Sequence, residues 1–172
     1  MRNRFTIFFF LCFSFVCNSQ SVFEMTLNGI QPNELIHKVE SKDAQNLYQQ
    51  ALNWLNTHAK KKSISIQKKT NDKIIEFDFV KNNAAGIDKK YYHAKYTIEI
   101  HFQNNEFRFS PKEIVLKLNS KYDMGWKEFD LTNGSPFFKK KGKVNRKYKD
   151  YLSGVMNPLN GISQELSFHL KK

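Results

Sequence analysis

The sequence predicts an α+β fold, in the coarse order strand, helix, four-stranded antiparallel meander, helix. Two observations carry this prediction. Apolar residues recur at three- and four-residue steps in two places, once early in the chain and once at its end. Between those places, runs of residues alternate apolar and polar with the period of two expected of half-buried strands. No internal repeat and no linker rich in Pro, Gly or Ser divides the chain after its first 19 residues, so 20–172 reads as a single domain.

The chain opens MRNRFTIFFFLCFSFVCNSQ, with Arg2 and Arg4 ahead of an apolar run from Phe5 to Cys17 that ends in small or polar residues. This is the plan of a secretory signal peptide, residues 1–19, with cleavage after Ser19. The run is about a dozen residues long, whereas a bilayer-spanning helix needs about 20, so no transmembrane segment is expected after cleavage. Lipidation at Cys17 is the less favoured alternative, because Val16 stands where a small residue is required. The expected location is therefore outside the cytoplasm, in the periplasm or secreted. Both cysteines, Cys12 and Cys17, leave with the signal, so the remaining 153 residues must be stabilised by core packing without disulfides. That remainder holds 26 basic and 16 acidic residues, a formal charge of +10. Such a surplus keeps a protein soluble and also favours acidic partners.

The segments VFEMTLN and ELIHKVE alternate well enough to be short strands. A helix follows from Asp43 to Ala59, where Ala44, Leu47, Tyr48, Ala51, Trp54, Leu55 and His58 share one face. Ser41 is placed to cap it, with Asp43 near the positive end of the helix dipole. SISIQKKTNDKIIEFDFV reads as two strands about a Thr70–Asn71 turn, which sets Ile66 opposite Ile75 and Ile64 opposite Phe77. Residues 81–90 read as a surface loop by composition. In YYHAKYTIEIHFQNNEFRF a tight turn at Asn104–Asn105 sets Phe102 opposite Phe107 and Ile100 opposite Phe109. Pro111 cannot donate to a ladder and the apolar phase changes beyond it, so a bulge or bend is expected at Ser110–Pro111. Residues 119–142 are too mixed to assign. The last segment keeps Tyr148, Tyr151, Leu152, Val155, Leu159, Ile162, Leu166 and Leu170 in helical phase across Pro158, predicting a kinked helix or two short ones meeting near Asn157.

This order, together with VESKDAQNLYQQALNWL (Val39 to Leu55), resembles a family of exported bacterial proteins known only as a domain of unknown function with a TBP-like fold. The family pattern is a strand, a Ser-Lys turn, and a helix carrying Leu-Tyr, then Ala, then Trp at three-residue steps. Ser41, Lys42, Leu47, Tyr48, Ala51 and Trp54 stand at those places, and the likeness covers most of residues 33–172. It implies a curved antiparallel sheet with helices on one face and implies no reaction. The family's glycine-rich turn between the middle strands is replaced here by KKTNDK, Lys68 to Lys73.

Chemistry-bearing patterns are sparse. His93 and His101 lie roughly 27 Å apart along one strand and cannot share an ion. Glu99 and His101 are close enough, yet Arg108 lies across from His101 and is expected to pair with Glu99. No metal-ligand spacing, nucleophile elbow or phosphate-binding loop occurs, so no cofactor is expected. Ser163, in NGISQE, reads as an exposed helix residue. Glu76 and Asp78 alternate on one strand, as acidic strand residues commonly do. The polar sheet face (Ser65, Asp78, His93, Lys95, Glu99 and their neighbours) is mixed in sign, and a signal peptide separates the chain from chromosomal DNA, so specific nucleic-acid binding is not expected.

The dense positive charge lies in FFKKKGKVNRKYK, where Lys139, Lys140, Lys141, Lys143, Arg146 and Lys147 cluster. These six are the candidate contacts for a polyanion, set against the plain alternative of a solvated loop leading into a helix. The functional expectation is an exported, non-enzymatic module that binds a ligand or an anionic envelope lipid or glycan. The alternative is an interaction subunit that docks another protein of an envelope assembly.

Overall fold

The described residues form strands β1 (Glu24–Thr26), β2 (Gly29–Gln31) and β3 (Leu35–Lys38), helix α1 (Ala44–Lys62), strands β4 (Ile64–Thr70), β5 (Ile74–Ile87), β6 (Lys90–Gln103), β7 (Glu106–Leu118) and β8 (Lys127–Glu128), and helix α2 (Lys149–Leu170). The structure is a computed structural model that describes residues 21–123 and 125–172. The predicted signal segment, with Cys12, Cys17 and the Ser19 cleavage point, lies outside the described residues.

The main sheet is antiparallel in the order β3-β7-β6-β5-β4, with β8 beside the far end of β7. Alternation sends Ile75 and Phe77 of β5, Tyr96, Ile98 and Ile100 of β6, and Phe107 and Phe109 of β7 to one face, where all are fully buried. Both helices cover that face. Tyr48 of α1 meets Phe102 edge-on at 5.7 Å, and the Tyr96 hydroxyl donates to the Val155 carbonyl of α2 at 2.9 Å. One apolar cluster runs from Phe23 to Leu170, so the fold is an open α+β sheet with two helices on one face.

The β6–β7 hairpin forms as predicted, with Phe102 opposite Phe107 and Ile100 opposite Phe109. Its bulge forms one residue past the expected Ser110–Pro111: Ile98 pairs with Pro111 and Thr97 with Glu113, leaving Lys112 as the additional residue. The β4–β5 register differs from the expectation by two residues, since Ile66 faces Phe77 and Ile64 faces Phe79. Asn71 and Asp72, rather than Thr70 and Asn71, take the left-handed turn conformation, with φ of 47° and 52°. From Ile64 to Ile66 the two-residue shift leaves each side chain on its own face, so alternation could not tell the two registers apart; past an irregularity at Gln67, Lys69 faces Ile75 and Thr70 faces Ile74.

Two further expectations are corrected. Asp43, not Ser41, caps α1 by accepting the Asn46 amide at 2.7 Å, because Ser41 lies outside the helix at φ 60°. Residues 81–87 continue β5 instead of looping out, and Ala85 pairs with Tyr92 after an irregularity at Asn83. The small residues there serve packing: a Cβ at Gly154 of α2 would stand 2.4 Å from the Ala84 carbonyl oxygen. Of the two forms expected at Pro158, α2 takes the single helix rather than two short ones, with Val155, Leu159 and Ile162 buried on either side of the proline. That contact surface outweighs the missing amide donor.

The segment 119–148, of which 119–142 is unassigned from sequence, docks the β1–β2 hairpin. The Ile30 amide donates to the Leu131 carbonyl at 2.8 Å and the Gly134 amide to the Leu27 carbonyl at 3.2 Å. Glycine is required at both contacts. A Cβ at Gly29 would lie 2.2 Å from the Leu131 oxygen, and one at Gly134 would lie 1.9 Å from the Thr26 oxygen.

Candidate functional site

Phe138 and Val144 pair as an isolated bridge, which makes Lys139–Lys143 the tip of a short hairpin. The Lys139 amide donates to the Lys143 carbonyl and the Gly142 amide to the Lys139 carbonyl, each at 2.8 Å. Gly142, at φ 73°, supplies the left-handed residue that reverses the chain. Lys139, Lys140, Lys141 and Lys143 are exposed at this tip, and Arg146 follows in a single 3-10 turn. None of these five makes an ion pair among the described residues. The sixth predicted residue, Lys147, is committed: it pairs with Asp88 at 3.1 Å, which pushes its pKa up, and lies 5.4 Å over the Tyr148 ring. Beside the tip stand two exposed apolar side chains. Leu27 is 44% exposed and its Cδ1 would lie 3.8 Å from a Cβ at Gly142, while Val144 is 38% exposed.

The uncovered sheet face is laced with ion pairs, as a mixed polar face allows. Asp78 accepts from Thr97 at 2.7 Å and from Gln67 at 3.2 Å, with Lys95 at 3.8 Å. Burial alone would raise the Glu99 pKa, but hydrogen bonds from Lys112 and His101, both at 2.8 Å, hold it below the usual range. Arg108 does not take Glu99 as its partner. It bonds Glu34 at 3.2 Å and Glu106 at 3.4 Å, because β3 pairs beside β7 and the bulge carries Lys112 to Glu99 instead. Glu106 is also bonded by Lys38, whose hydrogen bond lowers its pKa. Among the described residues no three His, Cys, Asp or Glu side chains converge as metal ligands.

Ser163 is a second correction, since it is fully buried rather than exposed. It shares a 2.9 Å hydrogen bond with His37 Nε2, and the imidazole stacks on Phe107 at 4.7 Å. Burial, reinforced by Lys171, pushes the His37 pKa down to about 4. The pair joins β3 to α2, with the serine fully buried and the imidazole half-buried beside it.

Sequence reasoning missed a concavity of about 510 Å³ at the end of the sheet. Its walls are Tyr92, Phe129, Phe137, Tyr148 and Tyr151, with Phe129 and Phe137 stacked at 5.6 Å and Phe137 and Tyr148 edge-on at 5.3 Å. Burial, with Tyr92 and Tyr148 nearby, pushes the Tyr151 pKa up to about 12. These rings come from β6, the irregular segment and α2, so no period in the sequence joins them. The only local sign is the aromatic content of FFKKKGKVNRKYKDY, which shares residues with the basic cluster.

Residues 34–117 match the model of a family described as a domain of unknown function (DUF4468) with TBP-like fold. The match runs from β3 to the end of β7 and stops before α2. A TBP-like protein from Parabacteroides distasonis superposes with a TM-score of 0.58 at 11% identity, covering 85% of this chain and 98% of that one. A DUF4468 family protein from Bacteroides ovatus superposes at 0.52 and 10% identity, covering 80% and 81%. At those identities the likeness is one of fold. The search of curated proteins gives no match.

Proposed function

With residues 34–117 a DUF4468-type segment of TBP-like fold as the premise, we propose that the protein is an exported, non-enzymatic module that attaches to an anionic lipid surface of the cell envelope through the Phe138–Val144 hairpin. The observation that supports this is the hairpin tip itself: four solvated lysines without ion partners, flanked by exposed Leu27 and Val144. Each cation near an acidic membrane surface contributes about 1 kcal/mol. The two apolar side chains add burial at the headgroup boundary, which a solvated loop would not need to expose. No helix among the described residues is long and apolar enough to cross a membrane, so attachment by a helix of the described part would be peripheral.

Sedimentation with anionic vesicles, and separately with lipopolysaccharide, tests the reading. Retention on vesicles should fall with salt and should be lost when Lys139, Lys140 and Lys141 are changed to Gln. Retention on lipopolysaccharide alone would move the partner from lipid headgroup to glycan. Indifference to both salt and mutation would defeat the proposal, and one stoichiometric protein captured from envelope extract would favour a docking subunit instead.

A further inference from the structure

We propose that the aromatic concavity is a second binding site, for a small neutral saccharide. Its volume of about 510 Å³ lies in the range of small-molecule pockets, roughly 300–1,000 Å³. Three of its rings are tyrosines, Tyr92, Tyr148 and Tyr151, each half-buried. Among the described residues none of their hydroxyls has a hydrogen-bond partner, whereas Tyr96, under the helices, donates its own to the Val155 carbonyl. No side-chain oxygen or nitrogen of the described residues is both buried and unpartnered, so the hydroxyls of Tyr92, Tyr148 and Tyr151 stay open to solvent. They also lie near one another: Tyr92 and Tyr148 both add to the rise in the Tyr151 pKa, and their rings stand 5.9 and 6.5 Å from its ring. A tyrosine hydroxyl carried into a buried site ordinarily finds a partner. These three instead offer donors and acceptors to an occupant lying against an apolar wall.

The rim carries both signs of charge. Asp123, Glu128 and Asp130 stand against Lys90 and Lys127, three carboxylates and two ammonium groups with a formal sum of −1, so neither an anion nor a cation is selected. A purely apolar occupant would strip water from the phenol hydroxyls and return no hydrogen bond to them. A neutral ligand with an apolar ring face and several hydroxyls meets both conditions. Its C–H face lies against the aromatic wall, and its hydroxyls exchange hydrogen bonds with the phenols and with the mixed rim. A saccharide has that chemistry. None of Lys139, Lys140, Lys141 and Lys143 lines the concavity, so the site stands independently of the hairpin tip.

Saturation-transfer NMR and calorimetric titration with cellobiose, maltose and N,N′-diacetylchitobiose test this on the folded protein, with far-UV circular dichroism confirming each variant's fold. Saturable binding of at least one of these sugars is expected, with an affinity that salt does not change. The variant Tyr92→Phe, Tyr148→Phe, Tyr151→Phe keeps every ring and removes the hydroxyls. It should weaken saccharide binding at least about ten-fold, while the apolar probe phenylnaphthylamine binds no more weakly than to the parent. If that variant does not fold, Tyr148→Phe alone should weaken the saccharide and spare the probe. Phe137→Leu, which removes part of the wall, should weaken both. The Lys139, Lys140 and Lys141 to Gln variant should bind the saccharide as the parent does, whatever becomes of its vesicle retention. No saturable binding of any of these sugars, equal affinity of the parent and the hydroxyl-free variant, salt-dependent binding, or loss of binding in the hairpin variant would each overturn the assignment.

Discussion

The β6–β7 hairpin and the segment 119–148 that follows it are held in opposite ways. In the hairpin, alternation aligns Ile98, Ile100 and Phe102 with the buried side of the sheet, and a long backbone ladder from Tyr92–Leu118 to Gln103–Glu106, broken by the bulge at Lys112, fixes the register. In the segment, stability comes from side chains that bond their own turns, as Asp130 does, and from backbone-to-backbone contacts that only glycine permits, at Gly29 and Gly134. The first kind of structure is insensitive to any one polar residue and very sensitive to volume. The second kind depends on single polar side chains and on the bare backbone of two glycines, and it carries the basic hairpin tip together with part of the wall of the aromatic concavity. A scaffold fixed by many equivalent contacts leaves its irregular connections free to vary in charge and shape.

Mutations can break this contrast in a graded way. The largest loss should come from the hairpin's core. Phe109→Ala, at a fully buried site 6.2 Å from Phe23, is expected to cost about 3 to 5 kcal/mol in urea unfolding. Gly134→Ala should cost about 2 kcal/mol, since its Cβ has no room beside Thr26. Hydrogen exchange should show that this loss is local: amides of β1 and β2 lose protection while those of β6 and β7 keep theirs.

Acid should weaken the β3–α2 contact next. The folded His37 pKa lies below its ordinary value, so the unfolded chain binds the extra proton first. The stabilisation is therefore complete above pH 6.5 and is lost as pH falls toward about 4. Allowing for partial exposure, the change is about 2 kcal/mol, and a His37→Gln variant should show a correspondingly flatter pH dependence of its unfolding midpoint. Equal slopes in parent and variant would show that His37 is not the titrating group.

Smaller still, Asp43→Ala should cost about 1 kcal/mol and Ser41→Ala less than about 0.5, because only Asp43 accepts a helix amide. At the bottom of the series, changing Lys139, Lys140 and Lys141 to Gln should leave stability within about 0.5 kcal/mol of the parent. Vesicle retention should nonetheless be lost, separating a binding role from a structural one.

Much of the scaffold was readable residue by residue. The α1 stripe through Leu47, Tyr48, Ala51, Trp54 and Leu55 is buried as its period requires, and the bulge falls one residue past Pro111. The likeness to a TBP-like domain of unknown function, read from Val39 to Leu55, agrees with the family match over residues 34–117. The six basic residues were identified as a cluster, and the structure gathers four on one tip while tying Lys147 to Asp88. The partnerships were not readable: Arg108 with Glu34, Ser163 with His37, and the five rings of the concavity each join elements distant in the chain.

The sequence by itself determined which face each strand residue takes and where the helices run, because those follow from periods of two and 3.6 that a local stretch carries in full. Tertiary structure alone decided that Ile66 meets Phe77 rather than Ile75, and that β3 lies beside β7. It alone buried Ser163 against a histidine 126 residues away. Alternation fixes only the parity of a register, so turn conformation chooses among registers of equal parity. A buried hydrogen bond between distant elements depends on how whole faces pack, which no local pattern records.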